Sequence, residues 1–66
     1  MKVQNALANM NDVILGYIRM IPYVEGGEAE EKGLETFTNK ELVDVLQKDC
    51  VAYYRIGSYY YVIYRT

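Results

Sequence analysis

The apolar positions of the first third of the chain follow a helical period. Their spacing alternates between four and three residues, as on one side of an α-helix, and the residues are Val3, Leu7, Met10, Ile14, Tyr17 and Ile21. Pro22 disfavours helical backbone at the residue before it, so the pattern predicts a long N-terminal helix over residues 1–21. A second interpretation stays open, because residues 13–24 are rich in β-branched and aromatic side chains and also suit a strand that follows a short helix.

Residues 22–37 break this pattern. The segment contains five glutamates between Glu25 and Glu35, with Lys32 as the one cation among them. Gly26–Gly27 and Gly33 interrupt regular structure near its two ends. We therefore expect a mobile acidic loop between two ordered elements.

A second helix is predicted over residues 38–48 from its start signal. Thr38 stands three residues before Glu41, the arrangement of a capping box in which each side chain accepts a hydrogen bond from a backbone N–H of the other residue. Phe37 and Leu42 flank this cap at the positions of a hydrophobic staple. The buried stripe of the helix is then expected at Leu42, Val45 and Leu46.

The last segment, residues 50–65, predicts an antiparallel β-hairpin. Gly57–Ser58 has the glycine-first composition of a two-residue type II′ turn. Closing the hairpin there predicts six cross-strand pairs, namely Ile56–Tyr59, Arg55–Tyr60, Tyr54–Tyr61, Tyr53–Val62, Ala52–Ile63 and Val51–Tyr64. The expected fold is a single α+β domain over residues 1–66, in the order helix, acidic loop, short helix and hairpin (α-α-β-β).

The hairpin carries six of the eight tyrosines, so its two faces decide where the phenol rings lie. We expect the face with the small and aliphatic residues, Cys50, Ala52, Ile56 and Ile63, to pack on the helices. The opposite face would then expose an aromatic patch, which predicts a protein interface at Tyr53, Arg55, Tyr60, Val62 and Tyr64, with Val51 beside it. The alternative is that tyrosine serves only as a strand former and both faces are partly covered within one subunit.

Chain length favours self-association. A domain of 66 residues buries only about 60% of the surface that its unfolded chain exposes. Cys50 is the only cysteine and there is no histidine, so an intrachain disulfide and a Cys/His zinc site are both excluded. We therefore predict a homodimer or higher assembly, formed by the aromatic hairpin face, by the helical stripe Leu7, Met10, Ile14 and Tyr17, or by both.

Candidate catalytic and metal chemistry is sparse. Without histidine there is no conventional Ser-His or Cys-His nucleophile, and Cys50 is expected to act as a small buried hydrophobe. The spacing of the glutamates in residues 25–35 does not match a calcium-binding EF-hand loop. The sequence thus predicts a non-enzymatic protein, with no catalytic residue, cofactor or metal site.

Protein and nucleic acid are the two partner classes compared. The same tyrosines, flanked by Lys48, Arg55 and Arg65, suit stacking on single-stranded bases, and a helix followed by a hairpin is similar to half of a winged-helix domain. The formal net charge of −2 and the scattered cations do not form the basic stripe that phosphate binding requires. A protein partner is therefore preferred, and nucleic acid remains the alternative.

Composition also bears on location. No apolar stretch is long enough to span a membrane, and the N-terminus does not resemble a signal peptide. A cytoplasmic protein is expected. A short, acidic, motif-free chain with an aromatic ribbon is typical of small phage or mobile-element proteins that regulate or inhibit a host protein, and such a protein would act in the host cytoplasm.

One local resemblance concerns residues 40–65, KELVDVLQKDCVAYYRIGSYYYVIYR. This segment resembles the opening of HicA-type toxins, small ribonucleases in which a helix precedes a hairpin carrying Gly-Ser-His-His. Here Gly57–Ser58 is followed by Tyr59–Tyr60, so the family's catalytic histidine has no counterpart. The predicted N-terminal helix also has no place in that fold. The resemblance therefore implies a shared helix-to-hairpin pattern and no ribonuclease activity.

Overall fold

A computed structural model describes residues 1–10, 15–27 and 30–66, and within them two short helices lie on one face of a four-stranded sheet. The elements are α1 (Val3–Ala8), β1 (Ile18–Tyr23), β2 (Lys32–Gly33), α2 (Asn39–Leu46), β3 (Cys50–Ile56) and β4 (Tyr59–Arg65), with 3₁₀ turns at Leu15–Tyr17 and Leu34–Thr36. The strand order is β2-β1-β4-β3. Strands β1 and β4 run parallel, whereas β1–β2 and β3–β4 are antiparallel.

The prediction of a long N-terminal helix is wrong. Helix α1 ends at Ala8, and residues 18–23 form strand β1. Of the interpretation left open for residues 13–24, a strand after a short helix, the structure supports the strand at Ile18–Tyr23, and residues 13 and 14 lie outside the described residues. The physical reason is tertiary, because β1 pairs with β4 over six residue positions and buries Ile18 and Met20 almost completely. If the same residues formed an amphipathic helix, they could not pair with β4 in the centre of the sheet.

Pro22 is compatible with strand β1 because of where β2 ends. Strand β2 is only two residues long and pairs with Arg19 and Met20. Beyond Met20, strand β1 therefore has one side without a neighbouring strand among the described residues. Proline lacks the backbone N–H that a fully paired strand needs, and it is tolerated where one side of a strand is open.

Helix α2 begins as predicted. The Thr38 hydroxyl accepts a hydrogen bond from the Glu41 backbone N–H at 3.2 Å, and the Glu41 carboxylate accepts one from the Thr38 backbone N–H at 3.0 Å. Phe37 and Leu42 both pack against the core. The helix ends at Leu46, two residues earlier than expected, and Lys48 donates its backbone N–H to the carbonyl of Val45.

The hairpin turn is confirmed, but a simple two-stranded hairpin is not. Gly57 has φ 61°, the left-handed conformation that the first residue of a primed two-residue turn requires. Five of the six predicted cross-strand pairs are present. The exception is Val51–Tyr64, because an irregularity between Cys50 and Ala52 pairs Cys50 with Tyr64 instead. In addition, β4 lies between β3 and β1, so the hairpin is one half of a larger mixed sheet.

The acidic segment is also more structured than predicted. The expected loop over residues 22–37 contains the last two residues of β1, all of β2 and the turn at Leu34–Thr36. Leu34 is buried in the core. Glu28 and Ala29 lie outside the described residues.

The core lies between the sheet and the helices. Its buried side chains come from α1, β1, the Leu34–Thr36 turn, α2 and β4, and they are Val3, Ile18, Met20, Leu34, Val45 and Val62. On β1 and β4 these residues alternate with less buried ones, as expected when only one face of a sheet is covered. The helix-covered face is called the inner face below, and the opposite one is called the outer face.

Candidate interaction surface

The outer face of the sheet carries most of the exposed aromatic and aliphatic surface of the strands. Because side chains alternate along a strand, the residues of the outer face are Arg19, Ile21, Tyr23, Ala52, Tyr54, Ile56, Tyr59, Tyr61, Ile63 and Arg65. No helix of the described residues packs on this face. Tyr54 and Tyr59 are each 42% exposed, and Ile56 is 60% exposed. Monomeric proteins seldom leave a contiguous apolar patch of this kind without a use.

Ring contacts hold the tyrosines of this face in fixed positions. Tyr54 and Tyr61, which are directly opposite each other on β3 and β4, stack with ring centroids 5.3 Å apart and planes 16° apart. Tyr59 meets Tyr17 edge-on, also at 5.3 Å. The outer face is therefore an ordered aromatic platform, which loses little side-chain entropy when it binds a partner.

Cations contribute little to the outer face. Arg19 forms an ion pair with Glu31 from the segment before β2. The hydrogen bond to Glu31 raises the pKa of the Arg19 guanidinium, and the ion pair engages this cation within the subunit. The Arg65 guanidinium lies 5.8 Å from the centre of the Tyr23 ring. Two arginines with partners inside the subunit are a weak basis for binding a phosphate backbone.

The predicted interface residues lie on the inner face, so the assignment of the hairpin faces is wrong. Val62 is fully buried, and Tyr60 and Tyr64 pack partly buried against the core. Desolvation raises the pKa of the Tyr64 phenol, with smaller contributions from the carboxylates of Glu41 and Asp44. The residues expected on the helices, Ala52, Ile56 and Ile63, lie on the outer face, while Cys50 does pack against the core.

Tyr53 and Arg55 have a different environment from the other three predicted residues. They share the inner face, but the helices do not reach them, and both are exposed. The Arg55 Nε–H donates a hydrogen bond to the Gly57 carbonyl at 2.7 Å, and its guanidinium lies 5.6 Å from the centre of the Tyr60 ring. The structure thus separates the predicted site into a buried half and an exposed half at one edge of the sheet.

The predicted helical stripe does not form one helical face among the described residues, although Tyr17 is 42% exposed. Leu7 and Met10 pack against the core, Tyr17 lies in a 3₁₀ turn against Tyr59, and Ile14 lies outside the described residues. Since α1 ends at Ala8, Leu7 does not share a helix with Met10 or Tyr17.

The sequence pattern did not predict the exposure of Tyr54, Ile56, Tyr59 and Tyr61, because the hairpin faces were assigned the wrong way round. Three consecutive tyrosines at 59–61 erase the polar and apolar alternation that normally shows which face is buried. Val62 was one signal that could have identified the buried face, because it pairs with Met20 once β1 is recognised as a strand.

Groups that could support chemistry are few in the part of the chain that the structure describes. Desolvation raises the pKa of the Cys50 thiol, and its Sγ lies 3.4 Å from the Ala52 carbonyl oxygen. A thiol with a raised pKa is a poor nucleophile at neutral pH. Over residues 1–10, 15–27 and 30–66, no three His, Cys, Asp or Glu residues come together as a metal-binding group.

Comparison with protein-family models, with curated proteins and with solved structures gave no match for this chain. None of the described helices is long and apolar enough to cross a membrane.

Proposed function

We propose that this chain is a non-enzymatic protein-binding module that recognises its partner with the outer face of the sheet. The observation that supports this proposal is the uncovered aromatic platform around the Tyr54–Tyr61 stack, flanked by Ile56 and Tyr59. Tyrosine is enriched where binding energy concentrates at protein interfaces, because its ring provides a large contact area and its hydroxyl keeps a hydrogen bond. The proposed surface replaces the inner-face residues suggested by the sequence.

Electrostatics favour a protein over a nucleic acid as the partner. The outer face has two arginines, and each of them interacts with another residue of the same subunit. A single-stranded nucleic acid would need additional cations to neutralise its phosphates. A host protein as the target stays a prediction from composition.

A matched pair of substitutions tests the proposal. Ile56 on the outer face and Val43 on helix α2 are both exposed aliphatic residues, at 60% and 65%. We expect the Ile56→Lys protein to lose capture of a protein from lysate that the wild-type and Val43→Lys proteins both retain. The readout is quantitative mass spectrometry of proteins captured on immobilised bait, with circular dichroism as the check on folding. Equal capture by all three proteins would contradict the proposed surface.

The same variants separate the two partner classes. A lysine added to a stacking platform should strengthen binding to a labelled single-stranded oligonucleotide and steepen its salt dependence by about one phosphate contact. If the partner is a protein, Ile56→Lys should instead weaken its capture. Oligonucleotide binding that is steeply salt-dependent and stronger in Ile56→Lys, with no protein captured, would favour the nucleic-acid alternative.

A further inference from the structure

In the part of the chain that the structure describes, strand β3 is an edge strand without the usual protection. It is the last strand of the sheet, and every residue from Val51 to Ile56 is exposed. Edge strands of natural proteins are normally shielded by lysine, proline, a covering loop or very short length. Here the six residues contain one charge, that of Arg55, and no proline. Among residues 1–10, 15–27 and 30–66, only those at the N-terminus cover part of this strand, at its start, where the Cys50 backbone N–H donates to the Met1 carbonyl at 2.7 Å.

The hairpin register fixes which backbone groups face outward. In a two-residue turn the flanking residues, Ile56 and Tyr59, form a hydrogen-bonded pair. Hydrogen-bonded and non-hydrogen-bonded pairs then alternate, so Tyr54 directs its N–H and C=O toward β4, while Tyr53 and Arg55 direct theirs away from it. The bulge shifts this alternation by one residue, which agrees with the outward bond of Cys50 to Met1. Tyr53 and Arg55 thus present two donors and two acceptors at the open edge.

The other edge of the sheet is closed to the same kind of pairing. Strand β2 has two residues, and the exposed stretch of β1 beyond it contains Pro22. The Lys32 side chain of β2 donates to Glu41 at 3.3 Å and lies over the Phe37 ring. A sheet with one open edge can pair with itself only edge to like edge. This contact is isologous, obeys a twofold axis and closes at two copies.

We infer that β3 pairs antiparallel with β3 of a second copy of this chain, with the twofold axis between Tyr54 and the partner's Tyr54. In this register Tyr53 is opposite the partner's Arg55 and Arg55 is opposite the partner's Tyr53. Every outward N–H and C=O of these residues is then bonded, which gives four intersubunit backbone hydrogen bonds. Each arginine also meets a tyrosine ring across the strands, a favourable cation–π geometry.

The two neighbouring registers are poorer. An axis at Tyr53 bonds Tyr53 to the partner's Tyr53 and places Arg55 against the bulged Val51, where regular pairing is lost. An axis at Arg55 places two guanidinium groups directly opposite each other, which is destabilising. The backbone hydrogen bonds and the arginine charges therefore favour the same register, the one with the twofold axis at Tyr54.

This inference goes beyond the proposed function, because it concerns the edge and not the outer face. Pairing would join two four-stranded sheets into one of eight strands and place the outer faces side by side. A contact of one short strand with its copy lies below the roughly 1,200 Å² typical of stable interfaces. The dimer is therefore expected to form at micromolar or higher concentrations.

Backbone N-methylation of Tyr53 is the direct test. Chemical synthesis of the 66-residue chain, with ligation at Cys50, gives the methylated protein and an unmethylated control by one route. The methyl group removes an outward donor and blocks the edge, and it leaves the hairpin bonds and all side chains unchanged. Sedimentation equilibrium from about 5 to about 500 µM should show a dimer for the control and an increase of at least about tenfold in the dissociation constant after methylation. Circular dichroism should be the same for both proteins.

A monomeric control protein over this range, or a dimer that methylation leaves unchanged, would overturn the proposal. Capture of a partner by the methylated monomer tests the outer face separately, so failure of the dimer and failure of the proposed function are distinguishable.

Disulfide trapping tests the register. In a Cys50→Ser background, Tyr54→Cys places two thiols in a closely spaced non-hydrogen-bonded pair at the axis, whereas Tyr53→Cys and Ile56→Cys do not. We expect Tyr54→Cys to form the covalent dimer at least about tenfold faster than the other two variants. Fastest trapping at Tyr53→Cys would overturn the assigned register.

Discussion

Replacing Val62 and Ile63 one at a time tests which face of the sheet is buried. The two residues are adjacent on β4 and point to opposite faces, and Val62 is 0% exposed while Ile63 is only partly buried. Val62→Ala removes two buried carbon atoms at about 0.8 kcal/mol each, and the resulting cavity raises the loss to about 2–3 kcal/mol. Ile63→Ala removes more carbon atoms, but from a surface that water already reaches. We therefore expect the free energy of unfolding to fall by about 1 kcal/mol or less.

The assay is urea unfolding at fixed protein concentration, followed by circular dichroism. A single small core supplies only about 3–5 kcal/mol in a chain of this size, so Val62→Ala should remove about half of the stability and lower the melting temperature by about 10–20 °C. Val62→Thr is the second variant, because it nearly preserves shape and strand propensity but buries a hydroxyl, at a cost of about 1–3 kcal/mol. If Ile63→Ala destabilises the protein as much as Val62→Ala, the assignment of the inner face is wrong.

Three further predictions concern helix α2 and the cysteine. Thr38→Ala should destabilise the protein by about 1 kcal/mol in urea unfolding, because the Glu41 backbone N–H loses its hydrogen-bond acceptor; an unchanged midpoint would show that the cap is unimportant. The backbone hydrogen bond from Thr38, together with Lys32, lowers the pKa of the Glu41 carboxyl from its ordinary value. The ionised Glu41 carboxylate therefore stabilises the folded protein fully at pH values above its pKa in the unfolded chain, and this stabilisation is lost as pH falls through its lower pKa in the folded protein. Acid titration should thus lower the free energy of unfolding of the wild type more than that of Glu41→Gln. Desolvation raises the pKa of Cys50, so iodoacetamide should alkylate Cys50 more slowly at pH 8 than it alkylates an unfolded peptide of residues 46–54, as measured by mass spectrometry; equal rates would mean that the thiol is not shielded.

The elements that the sequence determined by itself are those held by neighbouring residues. The start of α2 depends on two hydrogen bonds between Thr38 and Glu41, three residues apart, so its signal is complete within the local sequence. The hairpin depends in the same way on the two-residue turn at Gly57, which sets the register of five strand pairs. Local hydrogen bonds of this kind join residues only a few positions apart, so a pattern of neighbouring residues is enough to predict them.

The tertiary structure alone decided the rest. Residues 18–23 have apolar positions that fit a helix or a strand, and pairing with β4, about forty residues later in the chain, selected the strand. The same pairing decided which hairpin face is buried. A hairpin of tyrosines has two faces of similar polarity, so its own sequence does not distinguish them. Once β1 joined β4 and the helices covered Ile18, Met20 and Val62, burial of that one apolar side fixed the inner face and left the Tyr54–Tyr61 platform exposed.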